Sequence, residues 1–297
     1  MIRIGTRKSA LALWQANQVK VKLDKLGATT TLVPVESEGD QNLTDPLYKM
    51  GIQGIFTKTL DSALLNQKID IAVHSLKDVP TEMAKGIQIS AVLARDAHQD
   101  VIVYHSKKEK NKIIGTGSLR RKAQWLRKYP EYTVENLRGN IQKRLEKLEQ
   151  SSWTGAIFSQ AGIERLGLSS INYEPLDWMI SAPAQGVVGI ASLNSNSEIQ
   201  PYLRKINCEQ TELCVKVERT FLNILEGGCT APIGAYSKIK NNTLVFKGGL
   251  FSLDGKEAIT VNDRIPLNQH KEFGEKAAIK ILKQGGVSLL KKIKSKV

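Results

Sequence analysis

The order in which short β-branched runs alternate with helical patterns constrains this chain more than any other feature. Ile2 to Gly5 is a short apolar run, and Ser9 can cap a helix in which Ala12, Ala16, Val19, Leu23 and Leu26 recur at helical spacing until Gly27 stops it. Thr29 to Val35 predicts a second strand, Phe56 to Leu65 a helix, and Ile69 to Ser75 a third strand that ends in Leu76-Lys-Asp-Val-Pro80. Strands separated by helices predict a mostly parallel sheet with helices on both faces. Such sheets bind ligands beyond the carboxyl ends of their strands, where Arg7, Ser9, Lys77 and Asp78 all fall.

The pattern repeats from about residue 100. Val101 to Tyr104 and Lys112 to Gly115 predict strands, Leu119 to Tyr129 and Asn140 to Gln150 helices, Ala156 to Phe158 a buried strand and Ala161 to Leu166 a further helix. Beyond Glu209 the order changes to a helix from Thr211 to Leu225, strands near Ile233 to Ile239, Thr243 to Phe251 and Glu257 to Val261, and a helix from about Lys271. Asn241-Asn242 and Asp254-Gly255 are tight-turn signals, so this end reads as a small antiparallel sheet with helices. A chain of 297 residues suggests two or three domains, and it contains no internal repeat or low-complexity tract.

The 43 Lys and Arg against 29 Asp and Glu give a formal charge of +14, which fits a nucleic acid, an anionic membrane or a polyanionic small molecule. Composition does not choose among them. The lysines of Leu290-Lys-Lys-Ile-Lys-Ser-Lys-Val297 read as a solvated helix end. Aromatics are only 6% and no basic-aromatic stacking segment is present, which argues against nucleic acid. The N-terminus reaches charge at once without an apolar export segment, and no stretch has the apolar length of a membrane helix. A cytoplasmic protein that does not engage membranes is the expectation.

The arginines carry more information. Gly115-Thr-Gly-Ser-Leu-Arg-Arg121 follows a strand and opens a helix, where backbone amides favour an anion and two guanidinium forks stand beside it. Leu137-Arg-Gly-Asn140 with Arg144, and Ala161-Gly-Ile-Glu-Arg165, place three more near element starts. Any one of them reads as an ordinary solvated arginine. Jointly they point to bidentate recognition of carboxylate or phosphate, facing Arg7 and Lys77 if the two units enclose a cleft. Asp78 reads either as a turn or cap residue or as a carboxylate set against cationic intermediates.

The cysteines are Cys208, Cys214 and Cys229, an odd number whose spacings fit neither a disulfide framework nor a metal site. Cys208 and Cys214 read as small packing residues. Cys229 sits between Gly227-Gly228 and Pro232, where the backbone can turn sharply and present an accessible nucleophile. His98, His105 and His270 lack metal-ligand spacing and read as surface residues.

Taken together, Arg3-Ile-Gly-Thr-Arg-Lys-Ser-Ala-Leu-Ala-Leu-Trp-Gln15, His74-Ser-Leu-Lys-Asp-Val-Pro80, Gly115-Thr-Gly-Ser-Leu-Arg-Arg121, Leu137-Arg-Gly-Asn140, Ala182-Pro-Ala-Gln-Gly186 and Glu226-Gly-Gly-Cys-Thr-Ala-Pro-Ile-Gly234 resemble the signatures of the hydroxymethylbilane synthase (porphobilinogen deaminase) family, in that family's order. The resemblance implies an α/β protein of three domains. The first two, residues 1–95 with 187–206 and residues 99–183, would be of the type II periplasmic-binding-protein kind with mixed, mostly parallel sheets. The third, residues 208–297, would be a small α+β domain with an antiparallel sheet carrying the cysteine.

The resemblance further implies that Cys229 holds a dipyrromethane cofactor through a thioether. Porphobilinogen would lose ammonia to give an electrophilic azafulvene, the free α-position of the terminal pyrrole would attack it, and four rounds followed by hydrolysis would release 1-hydroxymethylbilane. Ser9, Lys77, Thr116, Ser118, Arg120, Arg121, Arg138 and Arg144 match the family's cofactor binders, Arg7, Arg138, Arg144 and Arg165 its substrate binders, and Asp78 its catalytic carboxylate. No metal is implied, the partner is porphobilinogen, and the family is monomeric.

Departures are confined to a few positions. Gly51-Ile-Gln-Gly54 and Lys58-Thr59 stand where the family usually has Gly-Lys-Gly and a Lys-Glu pair, Ala191 stands at a common glutamate, and Cys208 stands at a common histidine. The competing readings are a catalytically degenerate member of this family and a two-lobed anion-binding protein.

Overall fold

A computed structural model describes residues 1–36, 57–107, 111–168, 170–225 and 231–296. Gln53 with its neighbours 51–54, and Cys229 with its flanking glycines, lie outside the described residues. The chain divides into two compact units, one formed by the described residues up to Asp96 with Gln185–Leu213, the other by Ala97–Ala184 with the chain from Cys214 onward.

The first unit opens with β1 (Ile2–Arg7), α1 (Ala10–Asp24), β2 (Thr30–Val35), α2 (Lys58–Leu65), β3 (Ile71–Ser75) and β4 (Ile87–Val92). The second follows with β5 (Asp100–Tyr104), β6 (Ile113–Gly115), α3 (Leu119–Lys128), β7 (Thr133–Glu135), α4 (Ile141–Gln150), β8 (Gly155–Ser159), α5 (Gln160–Arg165) and β9 (Tyr173–Pro175). The chain returns to the first unit as β10 (Val188–Leu193) and α6 (Gln200–Ile206). Then α7 (Glu209–Ile224) leads to β11 (Ile233–Lys240), β12 (Thr243–Phe251), β13 (Ala258–Pro266), α8 (Phe273–Ile281) and α9 (Val287–Lys294). β4, β7, β9, β10 and α6 are additions to the predicted elements.

The two large sheets share one design. The first has the order β2-β1-β3-β10-β4 and the second β7-β6-β8-β5-β9. In each, four strands run parallel and the fourth in order, β10 or β5, runs antiparallel to both its neighbours. These are the mixed, mostly parallel sheets that the family resemblance implied. The third sheet, β11-β12-β13, is antiparallel throughout.

Both faces of each large sheet are covered, as the apolar runs require. Ile71 and Val73 of β3 pack with Ala16, Val19 and Leu23 of α1 and with Ile199 and Leu203 near α6. Ala72, on the opposite face of the pleat, joins Leu60, Ala63 and Leu64 of α2. In the second unit Val101, Val103 and Phe158 pack with Leu148 and Trp153, while Ile102, Ile114 and Ile157 pack with Trp125 of α3. The third sheet buries one face against α7 and α8, with the rings of Phe221, Phe246 and Phe273 in edge contact.

Some local expectations change. His105 is buried, not a surface residue, and its Nδ1 accepts from the Lys107 amide at 3.0 Å. Its side chain turns inward because it follows directly on the buried strand β5. His98 and His270 are half-buried, and His98 stacks on Tyr236 with ring centroids 3.6 Å apart. Cys214 is buried and Cys208 half-buried. β13 extends past Val261 to Pro266 because residues 262–266 pair with Lys247 back to Thr243, although they leave one side chain in two exposed. No described helix is long and apolar enough to cross a membrane.

Candidate active-site residues

Most candidate side chains on the described part of the chain follow the carboxyl end of a parallel strand or lie in the first turn of the helix after it, and Arg165 ends such a helix. In the first unit, β1 ends at Arg7 and Ser9 caps α1, its Oγ accepting from the Ala12 amide at 3.4 Å. The neighbouring β3, paired parallel with β1 through Ile4 with Ile71 and Gly5 with Ala72, runs into a single 3₁₀ turn, Leu76–Asp78. Leu76 is the buried anchor of that turn, so Lys77 and Asp78 are left half-buried at the same sheet edge as Arg7 and Ser9. Lys77 Nζ donates to Oε1 of Gln185, at 3.3 Å. Gln185 is fully buried and was not singled out in the sequence, where it sits unremarked inside Ala182-Pro-Ala-Gln-Gly186.

The Asp78 carboxylate has no hydrogen-bond or ion-pair partner among the described residues. A half-buried carboxylate with its lone pairs unused is held ready for a donor. His74 lies in β3 just before that turn, buried, with no partner for its Nε2. Burial first, and then the charge of Arg7, push its imidazole down to about 4, so it is neutral at pH 7 and leaves the positive charge of this edge to Arg7 and Lys77.

In the second unit β6 ends at Gly115, and Thr116-Gly117-Ser118 turns the chain into α3. Thr116 Oγ1 accepts from the Ser118 amide at 3.3 Å, and Ser118 Oγ caps α3 by accepting from the Arg121 amide at 3.4 Å. Gly117 lets the loop press against its neighbour: a Cβ there would stand 2.7 Å from the carbonyl oxygen of Leu137. Leu137-Arg-Gly-Asn140 follows β7, and Gly139 adopts φ +116, a conformation closed to most side chains. Asn140 Oδ1 caps α4 by accepting from the Lys143 amide at 2.9 Å, and Arg144 Nε donates to the Gly139 carbonyl at 2.6 Å. Arg138 is buried, as is Arg165 at the end of α5 after β8.

Arg120 and Arg121 are buried as well, and both engage Asp100, which is fully buried at the start of β5. Arg120 Nη1 and Nη2 donate to its two oxygens at 2.6 and 3.2 Å, and Arg121 Nε donates to Oδ1 at 2.8 Å. Arg120 Nη1 also reaches the Ile180 carbonyl and Arg121 Nη1 the Ile157 carbonyl, at 2.7 and 2.9 Å. Two guanidiniums over one carboxylate leave a net positive charge inside this unit. Asp100, like Gln185, is a residue that the sequence does not single out. Its only signal was an acidic residue immediately before an apolar strand.

Among the described residues no His, Cys, Asp and Glu cluster could hold a metal ion. The structure thus brings Arg7, Ser9, Lys77 and Asp78 together in one unit, and in the other places Thr116 and Ser118 on the loop after β6, Arg120 and Arg121 in the first turn of α3, Arg138 on the loop after β7, Arg144 in α4 and Arg165 at the end of α5.

The chain is similar to known proteins along nearly its whole length. The family model described as porphobilinogen deaminase, dipyromethane cofactor binding domain, matches residues 2–201, and the one described as porphobilinogen deaminase, C-terminal domain, matches residues 212–283. Porphobilinogen deaminase of Desulfitobacterium hafniense is 38% identical over 99% of this chain and 98% of its own length. The proteins of the same name from Desulforamulus reducens and Geotalea uraniireducens are each 36% identical, over 99% and 98% of this chain and 98% and 94% of their own lengths. With strand-end loops and family signatures running in the same order along nearly its whole length, the chain belongs to the porphobilinogen deaminase family.

Proposed function

We propose that the protein is a transferase of tetrapyrrole biosynthesis that makes hydroxymethylbilane. It condenses four porphobilinogen molecules head to tail with loss of ammonia, on a dipyrromethane cofactor held through a thioether at Cys229, and releases 1-hydroxymethylbilane by hydrolysis. The described residues fit such a cofactor. Its acetate and propionate groups are anionic, and the loops and helices that follow β6, β7 and β8 present arginines and hydroxyls around a net positive interior. Ser9, Lys77, Thr116, Ser118, Arg120, Arg121, Arg138 and Arg144 would hold those carboxylates, with Asp100 fixing the two neighbouring arginines in place. Arg7, Arg138, Arg144 and Arg165 would take the carboxylates of porphobilinogen.

When bound, the cofactor supplies a pyrrole whose free α-carbon is the nucleophile. The protein's own contribution to bond breaking centres on Asp78. Its carboxylate would accept a pyrrole N–H and stabilise the positive charge that develops on the ring as the aminomethyl carbon parts from ammonia, which is electrostatic stabilisation placed where charge appears. Lys77 and Arg7 flank it, and neutral His74 adds no competing charge. Gln185, accepting from Lys77, would keep that ammonium turned toward a cofactor carboxylate.

The observation that carries this reading is the unpartnered Asp78 carboxylate on the same sheet edge as Arg7, Ser9 and Lys77. We further infer a monomeric cytoplasmic enzyme, and a third domain from residue 208 onward, supported by the separate ring contacts of Phe221, Phe246 and Phe273. None of these steps calls for a nucleic acid. Incubation of the purified protein with porphobilinogen should release ammonia and a linear tetrapyrrole; binding without either product would leave an anion-binding protein instead.

A further inference from the structure

The proposed chemistry accounts for cations between Arg7 and Arg165, yet most of the net charge lies elsewhere. Residues 231–297 hold 13 Lys and Arg against 5 Asp and Glu, a net +8 out of +14. Part of that excess is organised by the third sheet. Its register places Lys238, Val245 and Arg264 in one row, Tyr236, Lys247 and Asn262 in the next on one side, and Lys240, Thr243 and Pro266 on the other. Side chains alternate across the pleat, so these nine share one face, opposite Leu244 and Phe246, which pack toward α7 and α8.

Near Gly234 and Gly249 this outer face is covered, since a Cβ at either would meet Ile180. Beyond them it is open. Lys238, Lys240, Lys247 and Arg264 are all exposed, the face carries no carboxylate, and none of the four has an ion pair or hydrogen bond among the described residues. Asp263 belongs to the other face, where it pairs with Lys280 at 3.1 Å.

We propose that this open end of the sheet binds single-stranded nucleic acid through its phosphates. Lys, Arg, Thr and Asn are the side chains that contact phosphate and sugar, and here they stand without competing acids. Lys238 and Lys240 stand about 7 Å apart along β11, Lys247 lies diagonally about 8 Å from both Lys238 and Arg264, and Lys238 and Arg264 are two strand spacings, about 10 Å, apart, which suits the phosphates of a single strand laid across the sheet. A protein partner fits less well: the open rows cover only about 10 by 14 Å, against about 800 Å² per side in a stable interface, and offer no protruding aromatic or leucine anchor. The lack of an apolar anchor also argues against insertion into a lipid surface. The ring of Tyr236 is already stacked on His98, so bases find no platform and binding runs through the phosphates alone, independent of sequence; the scarcity of aromatics in the sequence bears on base stacking and not on phosphate contact. This site was invisible in a linear reading because its cations come from three strands and meet only through their register.

Fluorescence anisotropy of a labelled 20-nucleotide oligouridylate with the full chain tests the proposal. Four phosphate contacts predict a log–log salt slope of about −2.8, a loss of affinity of about 50-fold between 50 and 200 mM KCl. Each single change, K238Q, K240Q, K247Q or R264Q, should flatten the slope by about 0.7, and the fourfold variant should abolish binding while porphobilinogen turnover is kept. The tail variant K291Q/K292Q/K294Q/K296Q should bind as the parent does. Full binding by the fourfold sheet variant, equal loss in the tail variant, or binding of an oligoglutamate but not of oligouridylate would overturn the assignment. The inference stands apart from the proposed catalysis, and each can fail without the other.

Discussion

Asp100 Oδ2 lies 2.6 Å from Nη1 of Arg120, and both side chains are closed off from solvent. With Arg121 on the other oxygen of the same carboxylate, Asp100 ties the first turn of α3 to the start of β5. Removing its charge would leave two buried guanidiniums facing each other. Asp100→Asn should therefore cost about 3 to 5 kcal/mol, read as a lower urea midpoint at constant slope. A midpoint equal to that of the parent would mean that the two arginines are held by the carbonyls of Ile180 and Ile157 alone.

Asp78 is different in kind, since nothing in the described fold depends on it. Asp78→Asn keeps size and shape and should leave thermal unfolding unchanged while lowering turnover by about 100- to 1000-fold, the scale of one preorganised electrostatic contact. Substrate affinity should change far less. Turnover within a few fold of the parent would remove Asp78 from the reaction.

Gly117→Ala pushes a methyl group against the Leu137 carbonyl, a backbone atom that cannot rotate away. Separating these loops should cost about 1 to 3 kcal/mol. It would also shift Ser118 and Arg138 relative to one another, so KM for porphobilinogen should rise more than kcat falls. Steady-state kinetics beside a urea titration distinguishes this from a purely structural defect.

His74 makes stability depend on pH. Its folded value of about 4 lies below the ordinary 6.5, so the unfolded chain binds the extra proton between those values. The contribution is complete above pH 6.5 and is lost as the pH falls toward 4. Between pH 7.5 and 5 the loss should be about 2 kcal/mol. Unfolding free energies measured at the two pH values should differ by that much more in the parent than in His74→Gln.

Much of this fold was legible because helix starts announce themselves locally. Ser9, Ser118 and Asn140 each precede an amphipathic pattern, and each caps the helix it was expected to cap or open. The strand-end rule places Arg7 and Lys77 from the sequence alone. Illegible were the relationships set by pairing at a distance. β10 inserts between β3 and β4 from about 100 residues downstream, and that insertion brings Gln185 to Lys77. Asp100 reads as a strand-edge acid until α3 folds back on it. His105 looks polar by its neighbours, yet its place directly after β5 turns it inward.

The most direct test of the account is the intact mass of the purified protein measured beside its Cys229→Ala variant. The parent should carry an added mass equal to a dipyrromethane and the variant none. A parent of unmodified mass, still unmodified after incubation with porphobilinogen, would contradict it.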